Sequence, residues 1–204
     1  MSFPAIDSRT CIIRDTAARK GRTQSVAPGK TAAQYLHYGR IILDPGQKAA
    51  ADTGTLETGL ICLKGEASVT VGVDRFSMGP YDALYVPRDG RFEVTAGTAG
   101  CDLAEICAPV EGNYPLQFVS YAALQNDPGL HFHAGGDASR RELNVLLGKN
   151  IEAGRIMAGL SFSQPGNWTS WPPHEHAKLA EEAYLYIDMP SPSFGIQLVW
   201  TDDR

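Results

Sequence analysis

The sequence predicts an all-β protein built as a sandwich or barrel, and three observations predict it. Apolar residues recur with period two over short runs. Gly and Pro, 21 and 13 of 204 residues, are spread evenly and break the chain between those runs. Helix-forming stretches are scarce. Short strands separated by turn residues suit an architecture in which each strand buries one face.

The elements follow in chain order. GLICLKGEASVTVGV (59–73) reads as a buried apolar strand, a Lys-Gly-Glu turn, and a second strand alternating at Ala67, Val69 and Val71. RFSMGPYDALYVPRDGRFEVTAG (75–97) repeats the plan, with a Gly-Pro turn and a Pro-Arg-Asp-Gly turn between strands, and CDLAEICAPV (101–110) adds another. EGNYPLQFVSYAALQNDPG (111–129) is the expected connection, and its SYAALQND part is one of two stretches with helical residues in number. The other is ASRRELNVLLG (138–148), but Leu143, Val145 and Leu147 alternate with period two, so a strand is expected. RIMAGLSFSQPG (155–166) reads as strand and turn, and EAYLYIDM (182–189) and FGIQLVWTDD (194–203) as strands. The whole reads as two successive all-β units, 1–125 and 126–204.

Composition narrows the function. A formal charge of -5 and a pI near 5.5, with no basic run, argue against a nucleic-acid partner. No apolar run approaches a membrane span. The start, MSFPAIDSRTCIIRD, lacks a charged region followed by an apolar one, so no secretion signal is expected and the cytoplasm is the expected compartment. Cys11, Cys62, Cys101 and Cys107 form no Cys-x-x-Cys pair and are expected as reduced thiols.

Chemistry concentrates in PGNWTSWPPHEHAKLAEEAYLY (165–186), which holds two of the five histidines in one short window. On a strand, residues i and i+2 share a face, so His174 and His176 present two imidazoles side by side. Pro172 and Pro173 stiffen the approach and remove backbone donors, as at a sheet edge or barrel mouth. A carboxylate returning after a turn, from Glu181 or Glu182, completes a two-imidazole, one-carboxylate set suited to Zn, Mn, Fe or Ni. The plainer reading of such residues is polar surface and a solvated turn. HFHAGGD (131–137) offers another His-x-His, but Gly135-Gly136 reads as a loop between the units, and His37 reads as an ordinary strand residue.

The Gly, His-x-His, Glu order resembles the first metal motif of the cupins. The wider string PGNWTSWPPHEH…EEAYLY…FGIQLVWTDD is similar to the 5-deoxyglucuronate isomerases of inositol catabolism, and more distantly to the 5-keto-4-deoxyuronate isomerases of pectin degradation. The likeness is traceable upstream in GGDASRRELNVLLG, LKGEASVTV and PYDALYVPRDG, and is highly specific from about 163 to 203.

The resemblance implies a bicupin: two double-stranded β-helix (jelly-roll) barrels, with metal only in the second. The first unit has no histidine between Tyr38 and Leu130, which agrees. His174 and His176 are the implied ligands. Cupin spacing selects Glu181 as the third, and the Glu-x-Tyr-x-Tyr register selects Glu182, which is preferred. The family has Lys between the histidines and Asp after them, where this chain has Glu175 and Ala177. A further histidine ligand of the family lies beyond the Trp-Thr-Asp-Asp string, and this sequence runs to Arg204, so a second barrel shortened at its C-terminus is expected.

The implied activity is a metal-dependent aldose–ketose isomerisation of a sugar acid, 5-deoxy-D-glucuronate to 5-dehydro-2-deoxy-D-gluconate. Zinc is the expected metal, and a homo-oligomer the expected assembly. Tyr184, Tyr186 and the glutamate that does not bind metal are the candidate proton carriers. Two other classes stand beside it: a non-catalytic sugar- or metal-binding cupin, and an Fe(II) cupin dioxygenase.

Overall fold

The structure is a computed structural model and describes residues 11–176 and 179–200. The expectations resting on residues 1–10, on Ala177 and on residues 201–204 lie outside these. Strand is nearly the only regular structure among the described residues. After a single 3-10 turn at Thr16–Ala18 come β1 (Gly21–Val26), β2 (His37–Leu43), β3 (Lys48–Asp52), β4 (Leu56–Val71), β5 (Asp74–Met78), β6 (Ala83–Val86), β7 (Arg91–Pro109) and β8 (Gln117–Val119). A one-turn helix α1 (Tyr121–Leu124) then leads to β9 (His131–Ala134), β10 (Arg141–Leu147) and β11 (Ala158–Ser163).

Two long strands organise the first unit. β4 and β7 pair antiparallel along their length, and each changes its second neighbour halfway. The first half of β4 pairs with β6 and its second half with β5. β7 pairs first with β3 and later with β2. The shared pair thus runs through two layers, β5-β4-β7-β3 and β1-β2-β7-β4-β6-β8, which fold over one another as a jelly-roll barrel of the cupin type.

The corner between layers corrects the sequence reading. Lys64-Gly65-Glu66 is not a turn ending one strand but a bulge inside β4, where the register shifts on both sides of Gly65. RFEVTAG and CDLAEICAPV are likewise one strand bent near Gly100. Gly65 and Gly100 have φ of 73° and 79°, and a Cβ on Gly65 would stand 2.2 Å from the Gly100 carbonyl oxygen. Both conditions require glycine at Gly65.

The run from Leu60 to Leu63 is apolar throughout because both its faces are covered. Leu60 and Cys62 point into the barrel with Ile41, Val69, Leu84, Phe92, Val94 and Leu103. Ile61 and Leu63 point outward against Leu130, Leu146, Leu147 and Ile156. Continuous hydrophobicity is the expected signature of a strand buried on two sides.

β9, β10 and β11 form a separate three-stranded antiparallel sheet, β11-β10-β9. The strand expected at 138–148 is β10. His131 and His133 lie on β9, paired with Asn144 and Glu142 of β10, and not in a loop as their Gly-Gly neighbours suggest. The glycines follow the strand, and Gly135 (φ 85°) makes the turn. The strands expected at 182–189 and 194–203 are not formed among the described residues. Extended backbone becomes a strand only with a ladder partner, and none of the strand pairings reaches 182–200. Leu185 and Ile187 nevertheless pack against the outer core.

Candidate functional site

The segment carrying the histidines is fastened to the second sheet. The Trp168 N–H donates to Ala138 O at 2.9 Å, and Asn167 Nδ2 donates to Arg140 O at 3.3 Å. Beyond Pro172-Pro173 the described chain is irregular and unpaired, so the pair sits on no strand, contrary to expectation. The two rings nevertheless come together on one side. The imidazole centroids of His174 and His176 are 6.0 Å apart, with the rings inclined by 44°.

Each ring is held from behind. His174 Nδ1 lies 2.9 Å from Pro172 O, and His176 Nδ1 lies 3.3 Å from Ala180 O. A carbonyl can only accept, so each Nδ1 donates. His174 Nε2 is left with its lone pair, whereas His176 Nε2 must also donate to face the Glu182 carboxylate unless a metal ion takes the proton's place. The turn that brings Ala180 back is closed by Leu179 and Ala180 N–H groups donating to His176 O.

The two glutamates part ways. Glu182 Oε2 is 3.0 Å from His176 Nε2. Glu181 points elsewhere: its Oε1 accepts from the Gln34 N–H at 2.5 Å, and its Oε2 from the Tyr35 and Leu36 N–H groups at 2.9 and 2.8 Å. Both oxygens of Glu181 are thus engaged by backbone donors.

Tyr184 shares the Glu182 face, in hydrogen-bonding contact with that carboxylate, and its hydroxyl is 3.3 Å from Ser170 Oγ. Burial, assisted by Glu182, raises its pKa above the ordinary tyrosine value, while the Ser170 contact opposes the shift. The phenol is therefore protonated at neutral pH. Tyr186 donates to Gln197 Oε1 at 3.3 Å.

Among the described residues no three His, Cys, Asp or Glu side chains are gathered into a cage for an ion. The donor chemistry of His174, His176 and Glu182 nonetheless fits a divalent metal. Each Nδ1 is backed by a carbonyl, and at His176 an ion would take the place of the proton shared with Glu182; such outer contacts are what orient metal-binding imidazoles. His131 and His133 lie on a different sheet surface, where His131 Nε2 is 3.5 Å from Glu142 Oε1. His37 contacts Gln24 Nε2 at 3.2 Å on the first barrel.

Two supports of this region escaped the sequence reading. Glu57, fully buried on β4, accepts from the Gly154, Arg155 and Ile156 N–H groups at 2.5–2.8 Å and from the Tyr85 hydroxyl at 2.8 Å. The Arg155 guanidinium in turn lies 4.9 Å over the Tyr35 ring. An acid inside the apolar run of β4 is a readable signal for the first support. The amides that hold Glu181 carry none.

A jelly-roll barrel followed by a His-x-His and glutamate cluster defines an all-β protein of the cupin class. The chain belongs to the KduI/IolB family, whose model it matches over residues 11–204. It is 28% identical to the 5-deoxy-glucuronate isomerase of Geobacillus kaustophilus over 97% of this chain and 75% of that protein. The same enzyme of Geobacillus thermodenitrificans is 29% identical over 97% and 76%. Among solved structures, an IolB-like protein from Salmonella typhimurium superposes with a TM-score of 0.66 at 22% identity, over 76% of this chain and 60% of that one. The chain thus spans three quarters of these curated relatives (75% and 76%) and 60% of that solved chain.

Proposed function

We propose that this chain is a metal-dependent aldose–ketose isomerase of a sugar acid, converting 5-deoxy-D-glucuronate to 5-dehydro-2-deoxy-D-gluconate in inositol catabolism. The observation that carries the reading is the contact of His176 Nε2 with Glu182, beside His174 and Tyr184. Membership of the KduI/IolB family, with relatives named 5-deoxy-glucuronate isomerase, supports the substrate.

His174, His176 and Glu182 would hold the ion, with zinc as the metal proposed. Bound there, it would polarise the substrate carbonyl and its neighbouring hydroxyl, acidifying the C–H between them. The chain's own residues supply orientation and protons. Isomerisation removes the proton at C2, protonates O1, returns a proton to C1 and releases the one on O2. Tyr184, protonated at neutral pH and hydrogen-bonded to Ser170, would give and retake a proton at a substrate oxygen. Tyr186, held by Gln197, borders the same face. Glu181, saturated by amides, orients the segment instead of carrying protons.

The units proposed are 1–125 and 126–204. The described residues contain no helix long and apolar enough to cross a membrane. Three buried thiols suit the reducing cytoplasm. The exposed apolar residues Phe194, Ile196, Leu198 and Trp200 favour a homo-oligomer. Metal analysis with a turnover assay tests the proposal: bound zinc and a ketose product are expected. Bound iron with O2 consumption would replace it with a dioxygenase, and a metal-free, inactive protein with a binding module.

A further inference from the structure

We propose that Glu181 is a positioning residue, whose capture by three consecutive backbone amides turns Glu182 onto His176; this rests on the metal site proposed above. The two neighbouring carboxylates reach different partners, Glu181 the 34–36 amides and Glu182 the His176 ring. Adjacent side chains share one backbone, so fixing one restricts the direction of the next. The Glu181 carboxylate accepts from the Gln34, Tyr35 and Leu36 N–H groups at 2.5–2.9 Å. Three donors converging on one carboxylate form charge-assisted hydrogen bonds, stronger than neutral ones. On the far side Glu182 meets His176 Nε2 at 3.0 Å.

The amide platform is itself braced. Tyr35 lies beneath the Arg155 guanidinium, and the Arg155 N–H is held by buried Glu57 on the first barrel. The first barrel, which contributes no histidine to the cluster, thus fixes the geometry of the candidate centre through backbone donors at 34–36. This also gives each glutamate of the pair a separate task.

The test uses the purified full chain and Co2+ as the probe, read by calorimetry and by the visible absorption bands that report ligand geometry. Glu181→Ala is expected to weaken Co2+ binding about 10–100-fold, the range for outer contacts of metal ligands, with the same stoichiometry and altered bands. Glu181→Gln, which keeps an acceptor, should recover part of the loss. Tyr35→Pro removes one donor without touching an acid, and should add little to Glu181→Ala when the two are combined. If Tyr35→Pro does not fold, the Ala and Gln variants decide alone. Wild-type affinity and bands in Glu181→Ala would overturn the proposal. So would abolished binding in Glu181→Ala with binding retained in Glu182→Gln, which would make Glu181 the ligand. Full binding after His174→Ala with His176→Ala would instead overturn the site reading, and this inference with it.

Discussion

Glu57 of β4 and Tyr85 of β6 are joined by a 2.8 Å hydrogen bond, with neither side chain reaching solvent. The same carboxylate takes three amides of the 154–156 segment, so one buried acid secures the loop between β10 and β11 to β4.

Glu57→Ala leaves three amides and a phenol without their acceptor in a dry site. A loss of about 3–5 kcal/mol in urea unfolding is expected, typical of breaking a buried charged network. Tyr85→Phe removes one of four donors and should cost about 1 kcal/mol. Equal costs would mean that the amides are satisfied in another way.

The corner glycines make a second test. Gly72 (φ 59°) has open space around its missing Cβ, whereas Gly65 (φ 73°) faces the Gly100 carbonyl. Gly72→Ala should cost about 1–2 kcal/mol, the left-handed penalty alone. Gly65→Ala should cost more, because backbone must move as well. Similar melting temperatures for the two variants would contradict the corner geometry.

Much of the fold was legible because burial leaves period two behind, as at Phe92, Val94 and Ala96. The bend at Gly65 was misread because a bulge and a turn use the same residues, and local sequence does not say whether the ladder continues. His131 and His133 were assigned to a loop on the strength of glycines that lie just past their strand. The site's histidines were readable from spacing. The roles of Glu181 and Glu182 were not, since they depend on amides at 34–36, far away in sequence and indistinct in it.

Tyr38 sets an alkaline limit. Burial pushes its phenol up to about 12 from 10.0, and its hydroxyl has no partner among the described residues. The folded pKa exceeds the unfolded one, so this stabilisation is complete below about pH 10 and is lost as pH rises through about 12. Tyr38→Phe should flatten the fall in stability across that window and be neutral or stabilising at pH 7. An unchanged alkaline profile would show the hydroxyl to be hydrated.

Thiol reactivity follows burial. Cys62 and Cys107 are pushed up to about 12 by burial, and Cys101 is also raised, whereas Cys11 is exposed. Iodoacetamide at pH 8 should label Cys11 alone in native protein and all four cysteines in denaturant. Native labelling of Cys107 would contradict the barrel packing.

The proposed assembly is open to light scattering. Covering Ile196 and Leu198 in a homo-oligomer predicts a mass above one chain at micromolar concentration, reduced by Ile196→Asp with Leu198→Asp. A monomer before substitution would remove this part of the reading.

The central claim is chemical: His174, His176 and Glu182 support isomerisation of a sugar acid. Proton NMR of 5-deoxy-D-glucuronate incubated in D2O with the zinc-loaded chain tests it most directly. The account predicts loss of the aldehyde signal and growth of 5-dehydro-2-deoxy-D-gluconate, both absent in His174→Ala with His176→Ala. Unchanged substrate with the zinc-loaded wild-type chain, or equal conversion by the double variant, would contradict it.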